Sequence, residues 1–167
     1  LYVTHDQEEA LTMSDRIAVF NRGACLQCDA PERLHRRPRN RFVAGFFRGC
    51  NVLEAEALAL YGGWLRIRLA GRELMLDARS GAARADGAIH VAIRAENLNL
   101  APPFAANSVT LEARIREIVY RGTVLDYTLE LADGQLASAT TTRRVEGAAG
   151  SQVTVRVDPA DVLALED

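Results

Sequence analysis

The sequence predicts a mainly β chain, with a β-rich module beginning near residue 50 and a short α/β segment before it. Three observations carry this reading. Before Gly49 the apolar residues recur at helical spacing around one apolar run and one hairpin signal. From Asn51 they alternate with polar residues, as Leu65, Ile67 and Leu69 do against Arg66 and Arg68. Turn signals also break the second part about every 8–12 residues, an all-β texture.

The chain opens on Leu1-Tyr2-Val3, an apolar strand end, then passes through the polar elbow Thr4-His5-Asp6 into a helix expected from about Asp6 to Ser14. Thr4 followed by Gln7 reads as a capping box. Asp6, Glu8 and Glu9 place negative charge in the first turn, where the helix dipole favours it. One imidazole, His5, therefore stands at a strand tip and a helix mouth, the edge of an α/β sheet where ligands bind. Ile17-Ala18-Val19-Phe20 is a continuous apolar run, expected as a strand covered on both faces. Asn21-Arg22-Gly23 turns it into a partner over Ala24–Cys28. Asp29-Ala30-Pro31-Glu32 reads as a second capping box, for a helix that ends by Arg37, ahead of Pro38. Phe42, Val43, Phe46 and Phe47 form a short amphipathic turn ended by Gly49.

In the second part Val52–Leu60 is the first candidate strand, although its alanines and glutamates would also suit a helix. Gly62-Gly63 and Gly71-Arg72 turn the chain around Leu65–Leu69, and Glu73–Leu76 pairs back. Gly81–Gly87 is expected as a polar loop, and Ile89, Val91 and Ile93 as the next strand. Ala101-Pro102-Pro103 and Asn107 mark a crossover. Leu111, Ala113 and Ile115 alternate until the pattern slips to Ile118 and Tyr120, which predicts a bulge. Arg121-Gly122 turns, and Leu125, Tyr127, Leu129 and Leu131 face a core. Asp133-Gly134 turns into Leu136–Thr141. After a loose loop over Val145–Gly150, Val153, Val155 and Val157 alternate. Asp158–Asp161 turns, and Val162–Leu165 closes the chain.

Composition narrows the function classes. The net charge of −2 gives no general steering toward nucleic acid or acidic partners. All 20 basic residues are arginine, so the chain cannot hold the lysine that a GxxxxGK[ST] phosphate loop requires. Three cysteines, an odd number, point to a reducing compartment. A start on a strand, without Met, leads us to expect a piece of a longer polypeptide, and with it no signal peptide.

The string THDQEEALTMSDRI resembles the switch-histidine loop of ABC transporter ATPases, in the form found in importers of polyamines, ferric iron or sugars. NRGACLQCDAPERLHRRPRNRFVAGFFRG is similar to the segment that follows in that family, through Gly23, Gln27, Pro31, Pro38, Asn40, Phe42, Val43, Ala44, Phe46 and Gly49. Asp29 stands where the family usually has glycine. Arg94-Ala95-Glu96-Asn97-Leu98 resembles its R-P-E-x-aliphatic corner, with Ala95 in place of proline. The resemblance implies two parts: residues 1–49, a remnant of the ATPase domain, and residues 50–167, a TOBE module folded as an OB-like β-barrel. It implies that His5 contacts the ATP γ-phosphate and couples hydrolysis to the dimer, as the one catalytic and nucleotide-binding residue present. ATP and Mg are implied for the full-length protein and neither for this chain. Also implied are homodimerisation through the TOBE module and residues 1–48, membrane permease partners, and a place on the cytoplasmic face of the bacterial inner membrane. A different class of function is an independent small-ligand module that takes an oxyanion or an effector.

Other residue patterns are weighed against plainer roles. Cys25 and Cys28 have zinc-knuckle spacing, but only His35 and Cys50 lie near enough to complete four ligands. Residues three apart on a strand face opposite sides, so two ordinary thiols are expected and no metal. The basic run His35–Arg41 fits a helix end and a solvated linker. Trp64, Tyr120 and Tyr127 could stack on single-stranded nucleic acid, but balanced charge favours core or interface use and no nucleic-acid partner. Ser138, Thr140, Thr141 and Thr142 offer hydroxyls to an oxyanion, without a lysine beside them. Calorimetry of this chain with ATP should show no micromolar binding, because the phosphate cradle is absent.

Overall fold

The structure, a computed structural model, describes residues 1–78 and 86–166. The loop expected over Gly81–Gly87 lies outside the described residues except for Asp86 and Gly87. In chain order the first part comprises α1 (Gln7–Met13), β1 (Ile17–Asn21), β2 (Ala24–Asp29), α2 (Pro31–Arg36) and α3 (Arg41–Phe46). β1 and β2 form a two-stranded antiparallel ribbon. Its turn places Arg22 and Gly23 at φ 48° and 81°, the left-handed pair that a tight hairpin needs. Ala10, Ile17, Val19, Leu34, Val43 and Phe47 pack beneath it into a small core.

Two expectations for this part are corrected. β1 is not covered on both faces: Ile17 and Val19 are buried, but Phe20 is 61% exposed, because the helices pack on one side of the ribbon only. The second capping box does not form. Ala30 occupies the cap without a side-chain bond, and Asp29 Oδ2 instead pairs with Arg33 Nε at 3.2 Å. Proline at the first helical position starts α2 without a side-chain cap. α3 has a cap that the pattern did not single out: Asn40 Oδ1 accepts from Val43 N at 3.0 Å.

The second part is two antiparallel sheets around one core. β3 (Cys50–Tyr61), β4 (Trp64–Leu69), β5 (Arg72–Asp77), β6 (Gly87–Arg94) and β11 (Val162–Ala164) form the sheet β11-β6-β3-β4-β5. β7 (Val109–Tyr120), β8 (Leu125–Leu131), β9 (Leu136–Thr141) and β10 (Gln152–Val157) form the sheet β10-β7-β8-β9. Inward residues of both sheets, including Leu65, Ile67, Leu69, Val91, Leu111, Ile115, Tyr127, Leu129 and Val155, make a single apolar cluster. The fold is a mainly β, OB-like curled barrel, and Val52–Leu60 lies inside a strand. The expected slip in β7 is a register shift between Ile115 and Glu117. Beyond it Tyr120 points outward, 72% exposed, and not toward the core. The β4–β5 turn is Ala70-Gly71 (φ 45° and 80°), one residue before the expected Gly71-Arg72, and Arg72 already belongs to β5.

β3 and β9 lie at the seam between the sheets and are joined through side-chain amides. Asn51 Nδ2 donates to Ser138 O at 2.8 Å, and Ser138 N donates to Asn51 Oδ1 at 2.7 Å. One step along, Glu54 N donates to Gln135 Oε1 and Gln135 Nε2 donates to Glu54 O, at 2.7 and 2.9 Å. The first part docks on the outer face of the larger sheet. Ala44 of α3, fully buried, meets Ala92 and Leu165, and Glu166 N donates to Arg39 O at 2.7 Å. Replacing Asn51 by Ala removes two hydrogen bonds to Ser138 at a half-buried seam, and should cost about 1–3 kcal/mol in chemical denaturation. Leu65→Ala, which leaves a hole in the barrel core, should cost about 2–5 kcal/mol in the same measurement.

Candidate functional site

Two places gather polar chemistry, the elbow that carries His5 and a cleft between the two parts. At the elbow the helix cap is Asp6, not Thr4. Asp6 Oδ1 accepts from Glu8 N and Glu9 N at 2.8 and 3.1 Å. A carboxylate reaches two of the orphan amides at once, and its charge suits the helix dipole. Thr4 fixes the chain before the cap: its Oγ1 accepts from Asp6 N at 3.0 Å and donates to Glu9 Oε2 at 2.8 Å. Tyr2 OH donates to the same carboxylate at 3.3 Å, and the Glu9 charge pushes the phenol pKa up. Gln7, expected to reach back to the cap, instead accepts from Arg48 N at 3.2 Å. His5 lies between these fixed neighbours, exposed, and its ring makes no hydrogen bond or ion pair among the described residues. The elbow thus presents one imidazole to solvent beside a helix mouth.

The cleft, about 620 Å³, opens between the end of α2 and the 3₁₀ corner Ala95–Asn97, with the turn Pro159–Asp161 at its far side. The end of α2 contributes His35, Arg36 and Arg37; the corner contributes Arg94 and Glu96; the turn contributes Asp161. Arg94 is 8% exposed. Its Nη2 donates to the carbonyl of His35, and its Nη1 is buried without a partner. This environment shifts the neighbouring groups in ways that burial dominates. Burial, with the Arg94 charge second, holds the His35 imidazole below its ordinary value. Burial raises the Cys50 thiol against the opposing pull of Arg94. Burial, then repulsion from Asp158 and Glu96, raises the Asp161 carboxyl.

The other sequence candidates scatter. Cys25 and Cys28 are both exposed thiols, because the irregularity opposite Val19 and Phe20 breaks the alternation along β2. Among the described residues no group of three or more His, Cys, Asp or Glu side chains is placed to hold a metal. Trp64 and Tyr120 are exposed, whereas Tyr127 is fully buried with its hydroxyl accepting from Val145 N at 3.0 Å. Tyr127 is therefore a core residue and not a stacking platform. Thr140 Oγ1 donates to Asp126 Oδ1 at 2.7 Å, and Thr141 Oγ1 accepts from Arg143 N at 3.1 Å. Of the hydroxyls weighed for an oxyanion, Thr140 thus faces a carboxylate and Thr141 its own loop. The residue missed as a site is Arg94. The corner motif marked its position, but only the packing of α2 against β6 reveals that its guanidinium is left half-paired.

His35 gives the cleft a pH dependence with a definite sign. A base whose pKa is lowered on folding binds protons more readily in the unfolded chain. Stability therefore rises with pH through this range and is lost as pH falls below the ordinary value of 6.5. His35→Gln should flatten the dependence of melting temperature on pH between about 7 and 5, measured by scanning calorimetry.

The comparisons with known proteins agree with the fold. Residues 91–165, from the middle of β6 through β11, match the TOBE domain family. The spermidine/putrescine import ATP-binding protein PotA of Pseudomonas aeruginosa (strain UCBPP-PA14) is 42% identical over 137 residues, 81% of this chain and 38% of that protein. The corresponding protein of Rubrobacter xylanophilus is 41% identical over 170 residues, 99% of this chain and 44% of that protein. The chain thus spans less than half the length of these relatives. The solved structure of the cytoplasmic molybdate-binding protein ModG, with molybdate bound, superposes with a TM-score of 0.58 at 16% identity, covering 70% of this chain and 96% of that one. That likeness is one of fold. Together with the opening string and the R-x-E corner, these matches place the chain in the TOBE-bearing C-terminal part of the ABC importer ATP-binding subunit family.

Proposed function

We propose that the chain is the regulatory and dimerising part of the ATP-hydrolysing subunit of a polyamine importer. The observation that carries this is the 41% identity across 99% of the chain to a spermidine/putrescine import ATP-binding protein. In this reading the intact polypeptide binds ATP with Mg, works with membrane permease subunits, and sits peripherally on the cytoplasmic face of the inner membrane. The absence of a helix long and apolar enough to cross a membrane, among the described residues, is compatible with that peripheral place. His5 senses the γ-phosphate. Its exposure at a helix mouth, with Thr4 and Asp6 fixing the backbone on either side, supports that role.

Homodimerisation runs through the barrel and residues 1–48. It is supported by the apolar side chains that the first part leaves uncovered, Leu1, Val3, Met13 and Phe20. An independent small-ligand module is the alternative, supported by a fold shared with a molybdate-binding protein and by the polar cleft. Saturable molybdate or effector binding by the chain alone, with no polyamine transport by the intact protein, would favour it.

Two measurements test the main reading. In the intact polypeptide reconstituted with its permeases, His5→Ala should lower ATP turnover by about 10²–10³-fold, the loss expected for one charge-stabilising contact, and should abolish putrescine uptake. Sedimentation velocity of the present chain should show a dimer that Phe20→Ser weakens, and a monomer at every concentration would refute the interface.

A further inference from the structure

We propose that the cleft between α2 and the Ala95–Asn97 corner binds a small zwitterion, its carboxylate toward the arginines and its ammonium toward Glu96 and Asp161. Both signs of charge line this cleft. Arg36 and Arg37 come from the end of α2, Arg94 and Glu96 from the corner, and Asp161 from the turn beyond it. Arg36 is engaged by Glu32 at 3.3 Å, at the surface. Arg37, Glu96 and Asp161 make no side-chain ion pair among the described residues, and Arg94 makes none either. Two unpaired cations and two unpaired anions thus line one cavity without closing on each other.

At about 620 Å³ the cavity exceeds the volume of a small amino acid, and among the described residues no ion pair joins the opposite charges that line it. Each sign of charge carries an unmet demand. The Arg94 guanidinium, nine-tenths buried, uses Nη2 on the His35 carbonyl and leaves Nη1 unsatisfied, so positive charge is held in a poorly solvated place. Partial burial, then repulsion from Asp158 and Glu96, disfavours the charged form of Asp161 at the cleft rim. An anion alone would answer the first and worsen the second. A cation alone would do the reverse. A molecule with a carboxylate at one end and an ammonium at the other answers both, and gains from engaging two sites through one backbone.

The test is a titration of this chain with glycine, 4-aminobutyrate and 6-aminohexanoate, which differ in charge separation, alongside acetate, methylammonium and putrescine. The readout is the ¹H–¹⁵N NMR shift of Arg37, Arg94, Glu96 and Asp161. At least one amino acid should give saturable shifts at these positions, about tenfold tighter than any single-charge probe or the diamine. Arg37→Gln and Asp161→Asn alter exposed side chains and should leave the spectrum folded. The first should weaken the amino acid and acetate together, and the second should weaken the amino acid while sparing acetate. No saturable shift with any amino acid overturns the proposal. So does putrescine or acetate binding as tightly as the best amino acid, or affinity unchanged in both variants.

Discussion

Three side-chain amides hold this structure together by standing in for peptide groups. Backbone N–H and C=O groups seek partners, and where two segments meet out of strand register no ladder can supply them. A carboxamide carries a donor and an acceptor side by side, so it can satisfy both groups of one facing residue. Asn51 does this for Ser138, and Gln135 for Glu54, and so the seam between the two sheets closes. Gln27 does the same within the first part: its Nε2 donates to Arg37 O at 3.0 Å and its Oε1 accepts from Arg39 N at 2.9 Å. That pair fixes the chain on either side of Pro38, where α2 has ended and α3 has not begun.

The cleft depends on these pairs. Asn51 follows Cys50, which is paired in register with Arg94, so the amide that closes the seam also sets the start of β3 and the corner beyond β6. Gln27 sets the other wall by holding Arg37 and Arg39. Between the walls, α3 needs a small residue to approach the sheet, and Ala44 against Ala92 provides the clearance. The polar cleft is the space left where small-residue packing stops and the chain ends of α2 and the corner diverge. An arginine whose stem belongs to β6 therefore has its head against the carbonyl of His35, 59 residues away in sequence.

Most of the barrel was legible because its signal is local. Leu65, Ile67 and Leu69 alternate with arginines, and strands with one face on a core must alternate. The slip at Arg116 could be read because a bulge shifts that parity. What failed was also local, and failed through competition between neighbours. Thr4 and Asp6 could both cap α1, and the carboxylate closer to the free amides won. Asp29 could cap α2 or pair with Arg33, and took the arginine. The double coverage assigned to Ile17–Phe20 came from an apolar run that this chain packs on one face only.

The sequence by itself determined the β-rich class, the order of strands and turns, and the family resemblance, since each rests on spacing between near neighbours. It also settled that no phosphate loop with its lysine is present, since that is a matter of composition. The tertiary structure decided which polar groups face one another. It buried Tyr127, set Thr140 against a carboxylate, and brought His35, Arg94, Glu96 and Asp161 around one cavity. Those juxtapositions join residues up to about 125 positions apart, and they follow from how two sheets close and where a small helix docks, which no local pattern encodes.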